Sequence, residues 1–190
     1  VVKEISVNDI LGRKPVAPIS QLLKKNVAHQ TVLVTGAGGS IGSELCRQII
    51  KLNPQRLILL DISEYALYST NSELEKIVSE SNSNIKIIPL LCSVLNQERL
   101  THIFKSFKIQ TIYAAAAYKH VPLVEFNVAE GINNNVFGTF ILTKAAIAAK
   151  VKNFILISSD KAVRPTNMMG ASKRLSELIC QSFATKAHNT

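Results

Sequence analysis

A doubly wound α/β fold built on a parallel sheet is what the sequence predicts, on three observations. From Thr31 onward short apolar runs alternate with helical stretches, the first run leads into Gly36, Gly39 and Gly42, and the second run closes on Asp61. Strands of a parallel sheet are covered on both faces, so they read as near-continuous apolar runs, as Leu57-Ile-Leu-Leu does. Right-handed crossovers then bring the ends of the strands together at one edge, where ligands of such sheets sit.

Taken in order, residues 1–30 form an N-terminal arm with five basic and two acidic side chains, punctuated by Pro15 and Pro18. Pro18 to Asn26 is expected to be a short amphipathic helix with Ile19, Leu22 and Leu23 as its apolar stripe. The arm either lies on the domain or links it to an upstream region. Residues 31–190 form the α/β domain, with strands expected near 31–35, 56–61, 85–90, 111–116 and 153–158. Helices are expected near 40–52, 64–80, 96–106, 127–150 and 167–186. No internal repeat or low-complexity segment competes with this pattern.

The run Thr31-Val-Leu-Val-Thr-Gly-Ala-Gly-Gly-Ser-Ile-Gly42 reads as strand, tight turn, helix. Gly36 permits the turn, Gly39 lets a pyrophosphate approach the backbone, and Gly42 lets the helix close on the strand. The amides of Ser40 and Ile41, at the helix N terminus, then face the phosphates. Asp61 can accept hydrogen bonds from adenosine ribose hydroxyls, and it would repel a 2′-phosphate, because Ile62-Ser63-Glu64 offers no arginine. NAD is therefore expected over NADP. Ser93 and Val94, after the third strand, fall near the adenine edge. Ala114 to Ala117 end the fourth strand with small side chains against which a flat ligand can lie, so Ala115, Ala116 and Ala117 are cofactor candidates. Lys119 follows at the same edge. Asn135 sits in a run of three asparagines that opens or interrupts a helix, a residue type that competes for backbone hydrogen bonds and so implies a local task, such as holding a kink or a water; it is also counted with the cofactor contacts.

Composition narrows the classes. A chain of 190 residues with 47% hydrophobic content buries one core, and no apolar run approaches the ~20 residues of a membrane helix. The net charge of +9 is spread along the sequence without interleaved aromatics, so no nucleic-acid surface is expected. Cys46, Cys92 and Cys180 are odd in number and far apart, and His29, His102, His120 and His188 lack ligand spacing, so a reducing compartment and no metal are expected. A chain that begins with Val1 is expected to come from a longer parent.

These residues resemble the extended short-chain dehydrogenase/reductase superfamily, and within it the polysaccharide-biosynthesis nucleotide-sugar dehydratases that include UDP-N-acetylglucosamine 4,6-dehydratases. The matching stretches are Val34 to Leu45, Asp61 with Ser63 to Tyr68, Ala115 to Pro122, Asn134 to Thr139, and Ser158-Ser-Asp-Lys-Ala-Val-Arg-Pro-Thr-Asn-Met-Met-Gly-Ala-Ser-Lys-Arg174. The resemblance implies a Rossmann-type NAD domain, truncated before a C-terminal substrate lobe, and a UDP-sugar substrate. It implies a homo-oligomer paired through the helices near 127–150 and 167–186, and a cytoplasmic location. Glu4-Ile-Ser and Leu11-Gly-Arg resemble the segment that joins a membrane region to the catalytic domain in tethered members, whose anchor lies in the inner membrane.

It also implies catalytic roles. Lys161 is the base for the sugar C5 proton, provided that burial and cationic neighbours such as Lys173 or Lys119 depress its ammonium pKa. Asp160 is the acid for the C6 hydroxyl, provided that an apolar site keeps it protonated. Ser159 binds the C4 oxygen and Lys173 bridges the nicotinamide ribose. Met169 stands where the superfamily's tyrosine stands, and Ala114 replaces an expected histidine. Because a thioether is a poor proton acceptor, the C4 proton passes to Asp160 or to water. A nucleotide-sugar 4-epimerase and a silent NAD-binding regulatory module are the rival readings.

Overall fold

The computed structural model describes residues 19–81 and 83–188. After a six-residue helix, α1 (Ser20–Lys25), the chain builds β1 (Thr31–Thr35), α2 (Ser40–Ile50), β2 (Arg56–Asp61), α3 (Glu64–Glu80), β3 (Lys86–Leu91), α4 (Gln97–Phe107) and β4 (Thr111–Ala114). Two short helices follow, α5 (Val121–Phe126) and α6 (Val128–Ile132). A π-helical turn over Asn133–Phe137 leads into α7 (Gly138–Ala148), then β5 (Asn153–Leu156), a 3-10 turn over Asp160–Ala162 and α8 (Met168–His188). The strands are all parallel in the order β3-β2-β1-β4-β5.

Alternating side chains of β1 and β2 feed two separate cores, one on each face of the sheet. Val32, Val34, Leu57 and Leu59 pack with Cys46 and Ile49 of α2 and Leu67 and Leu74 of α3. Leu33, Ile58 and Leu60 pack with Leu100 and Phe104 of α4 and Leu142 and Ala146 of α7. Every residue of β1 is buried, as a central parallel strand requires. Pro89 lacks an N–H and sits in β3, at the sheet edge. Among the described residues no helix is long and apolar enough to cross a membrane.

Several elements differ from the expected pattern. β4 stops at Ala114 rather than 116, because the Ala116 N–H turns to the Thr35 hydroxyl at 3.2 Å instead of continuing the ladder. β5 likewise stops at Leu156. The helix expected over 127–150 forms without a gap from Val128 to Ala148, as α6, the π turn at the asparagines and α7. α5 was not anticipated, although Pro122 just after the His120 N-cap is a helix-start signal. The α1 helix forms, but Ile19, Leu22 and Leu23 are all exposed rather than packed on the domain. Six residues present too short a face to dock; Val27, fully buried, does the anchoring. Residues 1–18 of the arm lie outside the described residues.

Candidate functional site

The turn after β1 shows what its glycines are for. Gly36 has φ +65, and a Cβ on it would stand 2.8 Å from Ala116 Cα. A Cβ on Gly42 would fall on the Gly36 carbonyl oxygen, so α2 can start this close to the strand only with glycine there. The turn closes through the Gly39 N–H on the Gly36 carbonyl at 3.0 Å. No side chain caps the N terminus of α2, which leaves the Ser40 end of the helix open to an anion.

Asp61 is tied into this turn by a contact that the glycine spacing alone did not reveal. Its Oδ2 accepts the Gly38 N–H at 2.8 Å and its Oδ1 accepts the Ser63 N–H at 2.9 Å. Gly38 also has to be glycine, since a Cβ would lie 2.6 Å from Ala66 Cβ. Ser63, not Asp61, caps α3, accepting the Ala66 N–H at 3.4 Å. One carboxylate thus locks β2 to the glycine turn, and both face the same groove.

That groove has a volume of about 250 Å³ and runs between Gly36, Gly39 and Asp61 on one side and Val94, Ala116 and Ala117 on the other. It meets a second recess of about 550 Å³, whose walls include Ser40, Lys119, His120, Leu123 and Glu130; Gly39, Ala117 and Tyr118 belong to both. Together they make one trough across the carboxyl edge of the sheet. Of the residues expected here, Gly36, Gly39, Asp61, Val94 and Ala115 to Ala117 line the first part, and Ser40 and Lys119 the second. Ile41 is exposed on the first turn of α2 and Gly42 lies beneath the turn. Ser93 works as a turn former, its hydroxyl accepting the Leu95 N–H at 3.2 Å. Cys92 and Tyr118, which flank Ser93 and Lys119 at the strand ends where the sequence places the site, also line the groove, as does Asn134; burial pushes the Cys92 thiol up, so it lines the wall as a neutral group.

Asn135 is placed differently from expectation. It is 1% exposed and sits behind the groove rather than in it. Its Oδ1 accepts the Tyr118 N–H at 2.8 Å, while Nδ2 donates to the Tyr118 carbonyl and to Ser172 Oγ, both at 3.0 Å. Its own carbonyl accepts the hydroxyls of Thr139 at 2.6 Å and Ser176 at 2.8 Å. The π turn frees that carbonyl for side-chain donors, and the asparagine thereby joins the β4 loop, α7 and α8. Asn134, its neighbour, faces the groove instead.

α8 carries Met169 and Lys173, both buried. Lys173 Nζ donates to the Ile157 carbonyl at 2.9 Å, and burial lowers its pKa against the opposing pull of Glu177. Asn167 Oδ1 caps the helix by accepting the Gly170 N–H at 2.8 Å, and Glu125 of α5 accepts the Met168 N–H at 2.6 Å. Gly170 lies so close to the Lys161 carbonyl that the 3-10 turn rests on the first turn of α8.

Asp160 and Lys161 form an ion pair at 3.6 Å, with the two side chains 89% and 51% exposed. The Ser159 hydroxyl on Asp160 Oδ1 at 3.0 Å, and then the Lys161 ammonium, hold the Asp160 carboxyl below the usual range. This corrects the expectation of a protonated Asp160 in an apolar site and of a buried Lys161: among the described residues nothing covers the pair, so water and the ammonium favour the carboxylate. Neither side chain lines the trough. Among the described residues no cluster of metal-ligating side chains occurs.

A parallel doubly wound sheet with a glycine turn, an acidic residue closing β2 and a trough across its carboxyl edge defines a nucleotide-binding α/β protein. Residues 32–190 match the family described as "Polysaccharide biosynthesis protein", and the chain belongs to that family. It is 44% identical over 181 residues to the capsular polysaccharide biosynthesis protein CapD of Staphylococcus aureus, covering 95% of this chain and 30% of CapD. It is 40% identical over 182 residues to the probable polysaccharide biosynthesis protein EpsC of Bacillus subtilis, covering 96% of this chain and 30% of EpsC. The chain thus spans under a third of these curated relatives. Among solved structures, DesIV of Streptomyces venezuelae, a dTDP-glucose 4,6-dehydratase with NAD bound, superposes with a TM-score of 0.72 at 21% identity. The match covers 83% of this chain and 52% of that one, and shows a shared fold.

Proposed function

We propose that this chain is the cofactor-binding part of an NAD-dependent nucleotide-sugar 4,6-dehydratase, taking UDP-N-acetylglucosamine to a UDP 4-keto-6-deoxy sugar for surface polysaccharide synthesis. The observation that carries the cofactor reading is the Asp61 carboxylate, held by the Gly38 and Ser63 amides at the wall of the groove. A fixed anion there suits ribose hydroxyls and repels a 2′-phosphate. The space next to Gly39 and the uncapped α2 terminus fit a pyrophosphate.

NAD, held by the glycine turn and Asp61, would supply the hydride chemistry, oxidation at sugar C4 and reduction at C6. The chain's own groups move protons. Asp160, ionised in the free protein, takes the C4 hydroxyl proton; it then holds the proton that leaves with the C6 oxygen as water. Lys161, once its ammonium proton has passed to solvent, takes the C5 proton, which the C4 ketone has made acidic, and returns it after elimination. The Ser159 hydroxyl, already on Asp160, hydrogen-bonds the C4 oxygen. Lys173 stays on the Ile157 carbonyl and offers its remaining donors to the cofactor ribose. The exposed start of this sequence, with an ionised Asp160, suits its first step as a base; its later step as an acid needs only the proton it has just received.

The test is to supply UDP-N-acetylglucosamine to the full-length parent with NAD and follow the sugar. A 4-keto-6-deoxy product supports the proposal. A 4-epimer would replace it with an isomerase, and an unchanged sugar with tight NAD binding would leave a regulatory module.

A further inference from the structure

An exposed lysine stands in or at the end of every connection that enters a strand: Lys25 ending α1 before β1, Lys51 before β2, Lys86 opening β3, Lys108 before β4, and Lys150 and Lys152 before β5. Because the strands are parallel and adjacent, these loops line one edge of the sheet, opposite the trough. Among the described residues none of these lysines is paired with a carboxylate, and Glu80, 3.9 Å from Lys76, is the one acid on that edge. Lys105, Lys108, Lys150 and Lys152 converge on an open recess of about 390 Å³.

Two ordinary explanations fall short in magnitude. Helices α1, α2, α3, α4 and α7 all end here, and each terminus carries about half a negative charge. Five termini offset roughly two to three of the lysines and leave most uncompensated. Steering an anionic substrate is the second explanation, but a five-residue strand spans roughly 17 Å, about two screening lengths at physiological salt. Charge on this edge is therefore screened from the trough.

The kind of anion follows from the side chains. The edge presents lysines, while its arginine, Arg56 opening β2, is turned onto the Thr31 hydroxyl at 3.1 Å, and no exposed aromatic stands on these loops to stack a base. What adjoins it instead is α1, whose Ile19, Leu22 and Leu23 are exposed next to Lys24 and Lys25. This helix is fixed to the edge, since the Thr111 hydroxyl donates to the Asn26 carbonyl at 2.7 Å and Gln30 Nε2 to the Lys25 carbonyl at 2.9 Å. Basic side chains beside an exposed apolar stripe match a bilayer interface.

We infer that the N-terminal edge of the sheet is a docking face for an anionic lipid surface, with its lysines on the headgroups, the α1 stripe in the interface and the nucleotide trough turned to water. The test is flotation of the 190-residue chain with phosphatidylcholine vesicles, with and without phosphatidylglycerol. Binding is expected only with the anionic lipid and is lost in high salt. Each lysine near such a surface is worth about fivefold, so the combined Lys108→Glu, Lys150→Glu and Lys152→Glu variant should lose more than about a hundredfold. Leu22→Ser with Leu23→Ser should weaken binding about tenfold and keep its salt dependence. NAD binding and the thermal melt of each variant verify folding; if charge reversal unfolds the chain, the three Lys→Gln changes give the same loss in milder form. Equal binding to neutral vesicles, no binding to anionic ones, or undiminished binding by the folded lysine variants would overturn the inference. So would an RNA oligonucleotide that binds at concentrations leaving anionic vesicles bare.

Discussion

Replacing Asn135 with alanine isolates the joint on which the trough depends. The side chain is buried and satisfies both backbone polar groups of Tyr118, which stands where the two parts of the trough meet. Truncation orphans that N–H and carbonyl. Ser172 keeps the Met169 carbonyl as its acceptor at 2.7 Å, so it is not orphaned with them. Two part-buried groups at about 1–3 kcal/mol each, less what groove water restores, give a loss of roughly 2–4 kcal/mol. For a domain of this size that corresponds to a Tm lowered by about 4–16 °C. NAD affinity should fall at the same time, because the freed Tyr118 segment forms one wall. Differential scanning fluorimetry and a calorimetric NAD titration read the two effects. Asn135→Asp sharpens the test: a buried carboxyl has its pKa raised, so the proton that replaces the lost donor is held at acid pH and released as pH rises. That variant should be closest to the parent at acid pH and weakest above neutrality. A Tm within about 2 °C of the parent together with unchanged NAD affinity in Asn135→Ala would refute the account of Asn135 as the joint.

Asp61→Ala should weaken NAD binding and narrow the preference over NADP, read by parallel titrations; an unchanged ratio would remove the role given to that carboxylate. Gly42→Ala drives a methyl into the Gly36 carbonyl and should cost about 1–3 kcal/mol and most of the cofactor affinity, whereas Gly39→Ala, with only the Gly36 oxygen 3.3 Å away, should keep the fold and lose binding. Lys173 has a depressed pKa, so below that value both folded and unfolded chains hold the proton and the burial penalty is complete. Stability should rise as pH climbs from there toward the ordinary lysine range, and Lys173→Met should abolish that slope in a series of melts. In the full-length parent, Lys161→Met should stop exchange of the C5 proton with solvent yet permit NAD reduction, while Asp160→Asn should block both; C4 oxidation surviving in Asp160→Asn would send the proton to water instead.

The fold was legible because its determinants are local. Burial on both faces demands apolar runs, and β1 and β2 have them within a residue of the expected limits. The glycine turn was legible for the same reason: a left-handed φ at Gly36 and a missing Cβ at Gly42 are properties of single positions. What escaped were ties between distant segments. Gly38 looks like filler between Gly36 and Gly39 until Asp61, 23 positions away, is seen to accept its N–H. Asn135 announced a local task by its residue type, but its partners are at Tyr118 and Ser172, which no spacing rule connects. The π turn was legible as three asparagines opening or interrupting a helical pattern, but which backbone groups the irregularity would free was not.

Charge shows the same division between chain and space. Along the sequence the lysines are dispersed, with no block of about five or more like charges, so the net +9 reads as a solvated excess. Electrostatic potential sums over distance in space, however, and a doubly wound topology returns the chain to the same edge before every strand. A lysine at each return, unremarkable alone, becomes one of a row, while the acids Asp61, Glu64, Glu130 and Asp160 fall near the opposite edge. Fold topology therefore separates charge that the sequence interleaves, and a polarity of that kind acts on whatever surface the molecule approaches before any site-specific contact is made.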